Sequence, residues 1–156
     1  MKQAFHLDDL SRRILRVLQA DATLSQTELA ERVGSSAASC WRRVRALEAA
    51  GVLGRTVRRV DRNQVGCPVD VICQVRLKSH EDQLGAAFER FVRQQPNILD
   101  CYSMSGDWDY LLRVVAADIA DYERFLMRVL LRHEAVATAS SHFALSCVKS
   151  ETALPV

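Results

Sequence analysis

The 156-residue sequence holds no run of about 18 consecutive apolar residues, so no membrane-spanning helix is expected. The opening MKQAFHLDDLSRR is polar and has no apolar leader core, so no secretory signal is expected either. The five cysteines (Cys40, Cys67, Cys73, Cys101 and Cys147) are odd in number, scattered and without CxxC spacing. That pattern argues against a zinc site or a disulfide framework and for the reducing cytoplasm. Cys40 and Cys73 fall at core-facing positions and read as small hydrophobes. Also missing are a Gly-rich phosphate loop, a nucleophile motif and any metal-ligand spacing. No cofactor or metal is therefore expected. An enzyme would have to rest on Asp107 and Asp109, with His133 and His142 downstream. No internal repeat or low-complexity segment appears.

What is present is unevenly spread. Residues 1–60 carry 11 Lys and Arg against 6 Asp and Glu, net +5; residues 61–156 carry 10 against 13, net −3. The nearly neutral whole hides a basic N-terminal part suited to phosphate contact and an acidic C-terminal part. Between Ser35 and Val60 stand six arginines and a single acid, Glu48. Within that region SQTELAERVGSSAASCWRRVRALEAAGVL (25–53) has a distinctive pattern. Leu29, Ala30 and Val33 form the inner face of a short helix, Gly34 tolerates the positive φ of a helix stop, and Ser36 suits an N-cap. Cys40, Val44 and Leu47 then recur at i, i+4 and i+7, with Arg42, Arg43 and Arg45 mostly outside that stripe. Two helices joined by a tight Gly turn, the second apolar behind and basic in front, predict a helix-turn-helix at about 26–45 that binds double-stranded DNA. A merely solvated charged face is the plainer alternative.

The whole reads as bipartite: a helix-turn-helix domain over 1–60, a linker over 61–68 and an αβ domain over 69–156. A first helix, about Asp8–Gln19, turns Leu10, Ile14, Leu15 and Leu18 inward. VLGRTVRRV (52–60) reads as a short strand or wing whose Arg55, Arg58 and Arg59 reach flanking phosphates. In the linker DRNQVGCP, Gly66 and Pro68 act as punctuation. Strands are expected at 69–77, 98–105, 109–116 and 136–149, with helices over 81–95 and 119–132, the latter capped by Asp118. The order β-α-β-β-α-β predicts a ferredoxin-like sheet, an α+β class, covered by helices on one face only. The simplest cover for the other face is a second copy of the chain.

The runs LDDLSRRILRVLQADATLS (7–25), ELAERVG (28–34), CWRRVRALEAAGVL (40–53), SGDWDYLLRVV (105–115) and SHFALSCVK (141–149) follow one another over nearly the whole length. Together they resemble the Lrp/AsnC family, the feast/famine transcription regulators. The resemblance implies a winged helix-turn-helix joined to a ligand-sensing αβ domain, homodimers through the sheets that assemble to octamers or similar, and small amino-acid effectors bound between dimers. It places the recognition helix at Ser36–Ala50, the ligand-holding turn at Gly106, Asp107 and Asp109, and accompanying hydroxyls at Ser140 and Ser141. Two departures stand out. Ser11 sits where the family commonly has Asp, a small electrostatic change, and Ala139-Ser140-Ser141 replaces Thr-x-Thr, removing one hydroxyl.

The residues allow a reading beside the resemblance. A free amino acid needs acidic oxygens at its ammonium and N–H or O–H donors at its carboxylate. GDWD supplies the acidic oxygens, and Gly106 lets backbone approach a ligand. Equally, Gly106 and Asp107 are common hairpin-turn residues, with Asp109 solvated. Tyr102 and Met104 are candidates for the effector's side-chain pocket, or plain core or interface. Ser36, Ser39 and Arg42, near the start of the recognition helix, are expected to meet base edges. Arg43, Arg45 and Arg58 suit phosphates, and Trp41 packs on the first helix or against the DNA backbone. A ligand-independent architectural DNA-binding protein would share this whole DNA-binding half.

Overall fold

The structure, a computed structural model, describes residues 6–79 and 81–156. The described residues divide into two compact units, those up to residue 58 with 149–156, and those from 59 to 148.

The first unit is a three-helix cluster. Helix α1 (Asp9–Ala20) is capped by Asp8, whose carboxylate accepts the Ser11 N–H at 2.9 Å. Helix α2 (Gln26–Val33) opens on a capping box, in which Ser25 and Glu28 satisfy each other's backbone N–H groups. It stops at Gly34, whose φ of 64° and ψ of 50° an L side chain adopts only with strain. Ser36 then caps helix α3 (Ala37–Ala49) by accepting the Ser39 N–H. Ile14, Leu15, Leu29, Ala30, Val33, Cys40 and Leu47 form the buried core, as the stripes predict. Ser11 is fully buried among them, so the departure from the family's Asp lies in the interior of this unit.

Segment 54–60 departs from expectation. It is exposed and forms no strand, because no neighbouring strand pairs with it among the described residues. The wing is therefore an open segment carrying Arg55, Arg58 and Arg59. The chain end departs too. Leu154 pairs its backbone with the Gln19 amide at 2.6 and 3.1 Å, Arg16 donates to the Val156 carbonyl, and Val156 joins the core. Residues 149–156 thus fold with the first unit instead of closing the αβ domain.

The second unit is built on strands β1 (Val69–Leu77), β2 (Ile98–Ser103), β3 (Tyr110–Ala116) and β4 (Val136–Phe143), with helices α4 (Asp82–Arg93) and α5 (Ile119–Phe125). Helix α5 is capped by Asp118 and runs on into a π-helical turn, Leu126–Leu130. The strands form an antiparallel sheet in the order β2-β3-β1-β4, the ferredoxin-like arrangement. Strand β4 is shorter than expected because its partner runs out. Phe143 pairs with Val71, two residues from the start of β1, and the last bond is Ala144 N–H to the Asp70 carbonyl. The expected linker belongs to this unit, where Arg62 pairs with Asp70 at 3.2 Å.

Alternation along β1 puts Val71, Cys73, Val75 and Leu77 under the helices, packed with Phe88, Leu112, Val114, Tyr122 and Leu130. Burial pushes the Cys73 thiol up, which leaves little thiolate for redox chemistry. The opposite face presents Ile72, Gln74, Leu111 and Tyr102, with Arg113 bound to Asp70 and Asp100.

The aromatic centre carries a pH-dependent contact. The His133 ring stacks on Phe91, centroids 4.6 Å apart, and its Nδ1 accepts the Ala135 N–H at 3.3 Å. Burial lowers its pKa from the ordinary 6.5, against the opposing pull of Glu134. The folded chain then binds this proton less readily than the unfolded one, so the associated stability is present above pH 6.5 and fades as pH falls through the depressed folded value. Urea midpoints are expected to drop on acidification through this window, and less steeply in His133→Phe. An identical slope in the variant would contradict this assignment.

Candidate DNA-reading helix and effector site

Helix α3 presents its polar residues as the sequence implies, with one exception. Arg42 and Arg45 are exposed, and Trp41 is 52% exposed, which is too open for a residue packed on α1. Arg45 lies 5.8 Å from the centre of the Trp41 ring and pairs with Glu48 at 3.2 Å. Ser39, Arg42, Arg43 and Ala46 line a shallow hollow of about 180 Å³. Ser36 is occupied as the N-cap. Arg43 is the exception: it spans to Asp8 at 2.6 Å and ties α3 to the start of α1. Arg58 stands exposed in the open segment beyond the helix.

In the second unit, the β2–β3 connection turns at Gly106, with φ of 110°. Beside it and α4 lies a cavity of about 570 Å³. Met104, Gly106, Asp109 and Tyr110 line one side, and Glu81, Asp82, Gly85 and Glu89 the other. The lining is therefore acidic. Burial raises the Tyr110 hydroxyl pKa, and the neighbouring Glu89 carboxylate adds to it, so the phenol stays neutral as a donor. Asp109 is not merely solvated. Its Oδ2 accepts the Leu77 N–H at 2.7 Å, while its own N–H donates to the Val75 carbonyl at 3.0 Å.

The remaining candidates lie elsewhere. Asp107 is exposed, and its carbonyl accepts from Arg76 at 2.8 Å. Tyr102, opposite Leu111, stands 57% exposed on the helix-free face. Ser140 pairs with Gln74 and Ser141 with Cys73, so the two adjacent hydroxyls point to opposite faces. Ser141 bonds Tyr122 beneath the helices, and Ser140 reaches His142 at 3.3 Å. A single chain thus gathers Met104, Gly106 and Asp109 but not Tyr102, Asp107, Ser140 or Ser141. Residue-by-residue reasoning missed Glu81, Asp82 and Glu89. Their signal was the i, i+4, i+8 row Glu81, Gly85, Glu89, which runs from the N-cap of α4 along the border of its apolar stripe.

The residues the enzyme alternative would need are engaged separately. The Asp109 carboxylate holds a backbone N–H, His133 is stacked on Phe91 and His142 is on β4.

The Lrp/AsnC ligand binding domain matches residues 70–154, and a winged helix-turn-helix DNA-binding domain matches residues 7–53. The chain belongs to the Lrp/AsnC family of transcriptional regulators. Among its Lrp/AsnC relatives, the glutamate uptake regulatory protein of Zymomonas mobilis is 36% identical over 150 residues, spanning 96% of this chain and 91% of that protein. An AsnC family transcriptional regulator from Agrobacterium tumefaciens superposes with a TM-score of 0.91 at 42% identity, covering 96% of this chain and 97% of its own. A transcriptional regulator from Neisseria meningitidis, solved as its L-Met complex, gives a TM-score of 0.92 at 32% identity, with coverage of 96% and 97%. Like other Lrp/AsnC regulators, this one carries its DNA-binding helix-turn-helix in the first unit, with α3 as the second helix of the pair.

Proposed function

We propose that this Lrp/AsnC regulator senses a free amino acid at the cavity beside Gly106 and Asp109, and that binding alters its assembly or its affinity for DNA. The observation that carries this reading is the acidic lining around a positive-φ glycine turn, which suits an ammonium group. The L-Met complex of the Neisseria meningitidis relative supports the ligand class. The donors for the carboxylate come from a second copy. Homodimers form through the helix-free sheet face that carries Tyr102 and Ser140, and dimers join into octamers or a similar assembly. The protein works in the cytoplasm by binding rather than catalysis, without cofactor or metal.

On DNA, Ser36, Ser39 and Arg42 approach base edges while Arg45, Arg58 and Trp41 meet the backbone. Arg43 does so only from within its ion pair. Joined dimers favour half-sites about one helical turn, roughly 34 Å, apart. Footprints confined to one short site would contradict that arrangement.

Thermal shift against the twenty amino acids tests the sensing role, since a ligand of the folded state raises the melting temperature by mass action. One or a few are expected to do so. A second reading, a ligand-independent architectural DNA-binding protein, is favoured by one observation: Ala139 lacks a hydroxyl and Ser141 is tied to Tyr122. No shift with any of the twenty would select it.

A further inference from the structure

We propose that Arg76 is a positioning residue of the effector site, holding the Gly106–Asp109 turn against the end of β1; this rests on the sensing role proposed above. The β1–β3 ladder reaches its last pair at Val75 and Tyr110, so the turn projects beyond the sheet. At the same place β1 changes register against β4, from Arg76 opposite Thr138 to Leu77 opposite Val136. Both residues at this irregularity reach across to the turn. The Leu77 N–H donates to the Asp109 carboxylate at 2.7 Å. Arg76 donates through Nε to the Asp107 carbonyl at 2.8 Å, and its guanidinium lies 5.0 Å from the centre of the Trp108 ring.

These contacts bracket the turn from two sides. Asp109 is held through its carboxylate, and the Asp107–Trp108 peptide is held by a plane that donates and stacks at once. Guanidinium does both, whereas an ammonium has no flat face to stack while it donates. The need for a brace follows from Gly106. At a φ of 110° its backbone has the freedom that glycine brings, and residues 102–107 are exposed. A turn that is to present oxygens to a small ligand must be fixed to within about 0.5 Å. Arg76 supplies that restraint without lining the cavity itself.

The test uses the full chain with Trp41→Phe, which leaves Trp108 as the only tryptophan of the two in the sequence. In that background Arg76→Met is expected to increase acrylamide quenching of Trp108 and to speed amide exchange in residues 104–109. After a screen of the twenty amino acids on the parent chain, titration with those that bind it is expected to show affinity weakened about tenfold, the ordering now being a cost of binding. Arg76→Lys is expected to fall between the two. A merely structural loss would lower the melting temperature while leaving the quenching and the affinity of the folded chain unchanged. Unchanged quenching and exchange would overturn the brace, and a loosened turn with undiminished affinity would overturn its role in binding. A parent chain that binds none of the twenty overturns the sensing role and this proposal with it; the exchange comparison separates that failure from a mistaken brace.

Discussion

Asp109→Ala is expected to abolish the amino-acid response and to destabilise the second unit by about 1–3 kcal/mol, the cost of a buried N–H left without a partner. The N–H is that of Leu77, which is 8% exposed and at the end of β1, one of the sheet's two inner strands. Asp109→Asn separates the two effects. Its amide oxygen still accepts the Leu77 N–H, so urea unfolding should stay near the parent value, yet the negative charge facing the ligand's ammonium is gone. The asparagine chain is therefore expected to fold normally and to bind an amino acid poorly. An alanine variant of undiminished stability would contradict the capping role. An asparagine variant with full affinity would contradict the charge pairing.

Arg42→Ala is expected to lower discrimination between operator and random DNA by about 1–3 kcal/mol, roughly 5- to 150-fold. Arg42 is exposed on α3 beside Ser39, with the reach of a base-reading side chain. Arg58→Ala is expected to weaken binding to both DNAs alike and to reduce the salt slope by about 0.9, as the loss of one phosphate contact does. Arg43→Ala separates itself by another measure. Its partner Asp8 caps α1, so the first unit should lose a little stability, little because both side chains are more than a third exposed and the pair is screened by solvent. Fluorescence anisotropy on the two DNAs at several salt concentrations, with unfolding curves, distinguishes all three. Equal losses for Arg42→Ala and Arg58→Ala on both DNAs would contradict the division.

Local signals made most of the fold legible. Gly34 and Ser36 mark the helix-turn-helix because a helix stop and an N-cap depend on single residues, and both took the expected geometry. The period-2 run at 69–77 gave β1 its full length, since alternation reports one buried face directly. The same logic failed at 144–149, where a strand-like sequence outlasts its partner. Strand length there depends on where β1 begins, which no local pattern contains. Gln19 and Arg16, polar residues on α1, gave no sign that residues 154–156 would pair with them. The effector residues were found by resemblance and by charge, but their faces depend on register. Ser140 and Ser141 look equivalent in sequence and part company only when each meets its β1 partner. Asp109 read as a ligand or a solvated acid, whereas its backbone contact depends on residues 32 positions away.

Operator affinity measured with and without a saturating amino acid decides whether this regulator couples an amino acid to DNA. An amino-acid-responsive regulator should bind DNA about 5- to 150-fold more tightly or more weakly with its effector, and linkage requires operator DNA to change effector affinity by the same factor. That reciprocal change is the expected result. A DNA affinity indifferent to all twenty amino acids would contradict the account and leave a DNA-binding protein that senses none of them.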